Sequence, residues 1–377
     1  MNSTSQDPIP AVSNVVVGFI SLSMIIGTVG NLLVLYAFKK ESSAFNTLLT
    51  VLGAFDLLAC IFHMPLDLAS VYDPERLPNM IICKMSCFMI AFTAIASAVL
   101  LVSIATIRYQ AVCRPHSSNM SVKSAKIIGV VAFCVALTLA SPSSSCLESR
   151  NWNSMTGSIF CGVQNAYMKT RYPLSFYIVL GSLFLVSLVI LAGLYILTGW
   201  GLWTKRKAFA ARNVSTNRVN PLSFDRDLQG DRVITPNTSN TLASTNQKGL
   251  ENSQQGGQDN SRKLTVTVNR NSVIVPPNDK KTRYERKTQK TFLMMFLVSI
   301  VFFLSYTPHL FLVFYFMGFN MAAFPAHALS HWHVVAMRSF YINNVADPFI
   351  YGFCSQDFRK NIQTIPTKLK AICCSKY

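Results

Sequence analysis

A chain of 377 residues that is 51% hydrophobic and only 13% charged carries about half the charge of a soluble domain, roughly 25%. Its apolar residues come in long runs and not in periodic stripes, which points away from a soluble fold and towards the bilayer. The net charge of +18 has no soluble basic domain to carry it, so nucleic-acid binding is set aside; anionic lipid headgroups and acidic faces of protein partners suit it better.

In chain order, residues 1–14 form a short polar segment without Lys or Arg. Seven mostly apolar runs follow: Val15–Phe38, Leu48–Val71, Met85–Ile107, Ile127–Ala140, Tyr172–Trp203, Thr291–Phe316 and His331–Phe353. About 20 such residues cross a bilayer core. The fourth run is short and needs Ser141 and Pro142 to complete the span. Lipid offers the backbone no partner, so each run is expected to be helical. The first has no basic segment before it and is longer than a signal-peptide core of about 7–15 residues, so it should stay as a spanning helix. The predicted fold is an all-α membrane protein, a seven-transmembrane helix bundle. Its segments are 1–14, spans one to five over 15–203, a loop over 204–287, spans six and seven over 288–353, and a tail over 354–377.

The loop 204–287 is rich in Asn, Ser, Thr, Gln and basic residues. Such a stretch buries too little apolar surface to offset its ordering entropy, so disorder is expected. Its two ends, "WTKRKAFAARN" and "KKTRYERKTQKTF", read as extensions of the flanking helices. Its Ser/Thr residues beside basic ones suit protein kinases. Of ten cysteines, Cys83, Cys87, Cys146 and Cys161 fall on one side of the bundle, and Cys83 begins the third span. A bridge from Cys83 to Cys161 would pin the 144–171 loop over the bundle, and Cys146 is the rival partner. Cys373 and Cys374 follow the basic segment Lys368–Lys370, a candidate palmitoylation site or a plain reduced pair.

Basic residues set the orientation. Six of the 34 lie in segments on the side of the N-terminus, and 28 on the other. The N-terminus is therefore expected outside and the tail in the cytosol.

With the runs in place, the motifs resemble those of class A, rhodopsin-like G-protein-coupled receptors. Gly30–Asn31 stand in the first span, Asp56 and Pro65 in the second, and "IRY" with Pro115 closes the third. Cys83 and Arg108 are separated by 25 residues, as in the family. Phe184 and Tyr195 fit in the fifth span, where Ser187 replaces a usual proline. The sixth reads "FFLSYTP", with Tyr306 in place of the usual tryptophan. The seventh ends in "DPFIY", Asp347 to Tyr351. "QDFRKNI" then reads as a short amphipathic eighth helix with Phe358 facing the membrane.

The resemblance implies signalling from an extracellular ligand to a heterotrimeric G protein at the plasma membrane, with arrestin, receptor kinases and membrane lipids as further partners. It implies a cytosolic switch of Arg108, Tyr109, Tyr195 and Tyr351, and activation motifs at Phe302, Tyr306, Pro308, Asp347 and Pro348. Asn31, Asp56, Ser97, Asn343 and Asp347 would form a polar core able to hold a sodium ion, with no other cofactor. A ligand pocket is expected from Ile90, Ala94, Tyr306, His309, Met337 and Tyr341. Ile90 stands where amine receptors carry an aspartate, and Tyr341 where opsins carry the retinal lysine, so neither ligand fits. Pro65 and the 144–171 loop suggest a peptide; a lipid or other small molecule is the alternative. A transporter lining of the same polar residues lacks the inverted repeat it would need. No metal-ligand spacing, nucleophile elbow or phosphate loop supports an enzyme. In most of the family an acid precedes the arginine; here it is Ile107, and Thr288 stands where a second restraining acid often lies. Raised basal activity is the expected consequence.

Overall fold

The computed structural model describes residues 11–39, 43–72, 80–114, 120–145, 147–151, 159–163, 170–219, 277–318 and 331–374. The N-terminal segment 1–10, Cys146 and the middle of the long loop, 220–276, lie outside them. Among the described residues, six helices are long and apolar enough to cross a membrane. The seventh span is a helix pair divided by a turn.

The first span is α1, Ala11–Lys39. Its outward face carries Leu22, Ile25, Val29 and Leu32, all exposed and apolar, which suits a lipid neighbour. The second span starts at Ser43, whose hydroxyl accepts from the Asn46 N–H at 3.1 Å and so caps α2, Ala44–Leu58. It then widens into a π-turn, Ala59–His63, before α3, Met64–Tyr72. Pro65 explains the widening. It has no N–H, and its ring clashes with the carbonyl four residues back in a regular helix. The extra residue in the turn relieves that clash and rotates the following residues. His63 and Asp67 are thereby brought against the seventh span.

The third span is α4, Met80–Cys113, and the fourth is α5, Val122–Ala140, capped by Ser121 and closed by a 3₁₀ turn Ser141–Ser145. Strands β1, Leu147–Asn151, and β2, Ile159–Val163, pair antiparallel with Cys161 opposite Ser149. The sequence carries no prediction of strands in the 144–171 loop, and β1 packs against α4. The fifth span lies in α6, Tyr172–Val219, and the sixth in α7, Pro277–Gly318. Both run into the loop expected to be disordered over 204–287, and further than the two quoted extensions. Ala, Lys and Arg, all good helix formers, fill the inner ends of that loop.

The seventh span comprises α8, His331–Ala336, and α9, Tyr341–Cys354. Between them the N–H groups of Ser339, Tyr341, Ile342 and Asn343 each donate three residues back. The span is thus broken at Met337–Phe340, ahead of Asn343, Asn344 and the DPFIY motif. The eighth helix, α10, runs Gln356–Cys374 after an extended Ser355, longer than the short helix expected. Phe358 does not face the membrane. It is 3% exposed and packs on Phe38 and Tyr351, while Asn361 donates to the Ala37 carbonyl at 2.8 Å. The helix folds back onto the first span.

Close approach of the first and seventh spans depends on Gly30. A Cβ there would lie 2.6 Å from Pro348 Cγ, a distance no side chain tolerates.

Candidate functional site

At the end of the bundle away from Arg108, Asp67 of α3 accepts two hydrogen bonds from Arg338, at 2.7 and 2.9 Å. Tyr341 donates to the same carboxylate at 3.0 Å and lies 3.4 Å from His63 Nε2. His63 stacks on Phe340. This bidentate pair is geometrically specific, and it ties the second span to the seventh. The sequence reading missed His63, Asp67 and Arg338. Arg338 counts in the sequence only as one of the six basic residues on the side of the N-terminus, and its one further signal is Asp67, a second acid beside Asp56 in the second apolar run.

His309 of the sixth span is joined to the Met337 carbonyl through Nδ1 at 2.8 Å. The Ser339 hydroxyl donates to the Ser305 carbonyl at 2.6 Å. Pro308 has no N–H to donate, so the Leu304 carbonyl one turn back lacks its helical donor. The broken turn of the seventh span thus meets the kinked turn of the sixth.

The expected pocket is only partly assembled. Ile90, Ala94, Tyr306 and His309 line one cavity of about 330 Å³. Met337 and Tyr341 are not among its lining residues. Tyr341 is drawn aside by Asp67, and Met337 contributes its carbonyl to His309. The cavity faces the third, fourth, fifth and sixth spans.

In the centre, Asn31, Asp56, Ser97, Asn343 and Asp347 are all at most 3% exposed. Asn31 donates to the Gly27 carbonyl at 3.0 Å and the Asn344 carbonyl at 2.7 Å, joining the first and seventh spans. Asp347 accepts from Tyr351 at 3.0 Å. Both Asp56 oxygens, Ser97 Oγ and one Asp347 oxygen have no hydrogen-bond partner among the described residues. Buried oxygens so left are costly unless a further polar species meets them, and an all-oxygen set suits a hard cation.

Activation-motif residues pack as a chain of rings. Phe302, fully buried, touches Phe184, Phe303 and Tyr306, and Tyr306 stacks on Phe340.

The residues expected to form a cytosolic switch are not gathered in one place. Tyr195 bonds to the Met295 carbonyl at 2.9 Å and to Ser299 at 2.7 Å, tying the fifth span to the sixth. Tyr351 meets Asp347 and the Phe38 ring. Tyr109 is half-buried. Arg108 lies with Cζ 3.2 Å from the centroid of the Phe45 ring, on the second span. Phe45 was absent from the expected site, because a ring at a helix start carries no motif. Ile107 packs against the apolar core. Lys287 of the sixth span pairs with Asp357 of α10 at 2.8 Å, with Lys287 largely exposed.

Cys83 is 2% exposed and disulfide-bonded. The side chains of Cys146, Cys161, Cys373 and Cys374 lie outside the described residues.

Residues 30–351 match the family model for the 7 transmembrane receptor (rhodopsin family). The chain is similar to neuropeptide Y receptor type 5 of Sus scrofa, 26% identical over 129 residues, 33% of this chain and 29% of that one. It is similar to cholecystokinin receptor type A of Mus musculus, 28% identical over 134 residues, 35% and 31% of the two chains. The Homo sapiens cholecystokinin receptor type A matches at 27% over 135 residues, 35% and 32%. The matched stretch spans about three-tenths of these relatives' length. With seven spans, the motif residues at their family spacing and a family match over most of its length, the chain belongs to the rhodopsin family of seven-transmembrane receptors, a multi-pass membrane protein.

Proposed function

We propose that this receptor passes an extracellular peptide signal to a heterotrimeric G protein at the plasma membrane, with its N-terminus outside and its tail in the cytosol. The observation that carries the reading is the family match across residues 30–351 with Arg108 at the end of the third span. The peptide class is supported by the names of the relatives, receptors for neuropeptide Y and cholecystokinin. The 28-to-6 division of basic residues supports the orientation. Arg108 is the cytosolic switch, Cys83 pairs with Cys161 to hold the outer hairpin, and residues 204–287 form a linker that offers Ser/Thr sites to receptor kinases and, once phosphorylated, to arrestin. Cys373 and Cys374 are the acylation candidates. Asp56, Ser97 and Asp347 would hold a sodium ion, whose charge would offset the two carboxylates.

The test uses cells expressing the full chain. A tag after Met1 stains on intact cells, and one after Tyr377 only after permeabilisation. Nucleotide exchange on a G protein is then read with neuropeptide Y, cholecystokinin and a peptide library. Exchange above untransfected cells, lost in Arg108→Ala at equal surface expression, supports the reading. Ion flux without any exchange response would overturn it.

A further inference from the structure

The 330 Å³ cavity continues sideways. A second cavity of about 260 Å³, bounded by Pro142, Tyr172 and Phe176 near the outer ends of the fourth and fifth spans, shares Ile95, Leu139, Leu180 and Leu183 with it. Together they form one crevice between the third, fourth and fifth spans. Its outer lip is Leu139, Leu183, Val186 and Ile190, exposed by 37%, 40%, 55% and 44%. These residues lie inside membrane-spanning segments, so what they face is lipid and not water.

Two features separate the crevice from an ordinary lipid-facing groove. It reaches inward past Ala94 and Ala98, whose small side chains leave the depth open, to Tyr306 and His309. Tyr306 is 2% exposed, and its hydroxyl lies beside Thr93, whose own proton is donated to the Met89 carbonyl, without a hydrogen bond of full geometry. A buried hydroxyl so weakly met gains from a polar ligand atom or a water. His309 has Nδ1 committed to the Met337 carbonyl, which leaves Nε2 as an acceptor. No residue of either cavity lining carries a formal charge.

We propose that this crevice is a binding site for an uncharged lipophile with a single polar group, entering from the bilayer between the fourth and fifth spans. The apolar body lies along Ala98, Leu183 and Val186, and the polar group meets Tyr306 and His309. An ionised headgroup is excluded by the lack of a countercharge in low-dielectric surroundings. The volume lies at the small end of ligand pockets, about 300–1,000 Å³, which suits one chain or a few fused rings. The crevice shares Ile90, Ala94, Tyr306 and His309 with the expected ligand pocket and adds a side entrance from the bilayer; its test reads labelling and not signalling, so either reading can fail alone.

The probe is a long-chain fatty alcohol bearing a photoactivatable diazirine, added to the full-length receptor in lipid nanodiscs. Adducts are mapped by mass spectrometry after irradiation. Adducts should concentrate on residues 90–103 and 180–190, and excess unlabelled fatty alcohol should remove them. Ala98→Trp, which fills the crevice, should lower that labelling at least fivefold; Ala94→Phe does the same from the inner end. Tyr306→Phe should lower it about fivefold, the effect of one lost hydrogen bond. The exposed face of the fourth span around Ile127 and Val130 serves as the background. Labelling of 90–103 no greater than that background, or labelling that excess alcohol does not reduce in the unaltered receptor, would overturn the proposal. Equal labelling by the matching fatty-acid carboxylate would overturn the uncharged class.

Discussion

Replacing Phe45 by Leu removes the face of a ring while keeping an apolar side chain of similar reach. In the structure that face carries the Arg108 guanidinium, 3.2 Å from its centroid. Such contacts contribute about 0.5–1 kcal/mol when exposed and about 2 when desolvated. Arg108 is half-buried, which places this one near 1 kcal/mol. One kcal/mol is about a fivefold change in an equilibrium constant. If opening of the cytosolic end draws Arg108 off the ring, Phe45→Leu should raise the basally active fraction about fivefold, and Phe45→Tyr should not. The complementary change is Ile107→Asp, which restores the acid beside Arg108. A charge-assisted pair contributes about 1.5–3 kcal/mol, so basal output should fall by tenfold or more. The assay is nucleotide exchange on the G protein without ligand, at matched surface expression. Basal output of Phe45→Leu equal to that of the unaltered receptor would show that the ring is packing only. Equal output from Ile107→Asp would show that a carboxylate beside Arg108 restrains nothing in this bundle.

Three further outcomes are expected. Arg338→Met strands the Asp67 carboxylate and should lower stability by about 3–5 kcal/mol, while Arg338→Met with Asp67→Leu should regain most of it; thermal unfolding in detergent decides, and a double variant no better than the single refutes the pairing. Cys83→Ala and Cys161→Ala should each lower surface expression, with the double variant little worse than either, because each single change already removes the shared bond; additive losses point to Cys146. Sodium should weaken agonist binding in the unaltered receptor and not in Asp56→Ala, measured by competition binding with sodium or choline chloride; the same dependence in both would place the ion elsewhere.

The amino-acid sequence by itself determined seven spans, because lipid permits only helices and the apolar runs, the fourth completed by Ser141 and Pro142, are long enough to cross. It also determined Arg108 and the polar residues of the centre, because a charged or polar group in an apolar run stands out and its spacing is countable. What only the tertiary structure decided is which of these groups meet. Asp67 and Arg338 are 271 positions apart, and neither predicts the other until the π-turn before Pro65 rotates one and the broken turn of the seventh span aims the other. Phe45 and Arg108 belong to different spans, and only packing stacks them. Phe358 reads as a lipid-facing residue of an amphipathic helix, yet its ring closes on Phe38 and Tyr351 because that helix turns back against the first span. The pattern of a sequence records the chemistry of each face; the crossing of helices decides which faces touch.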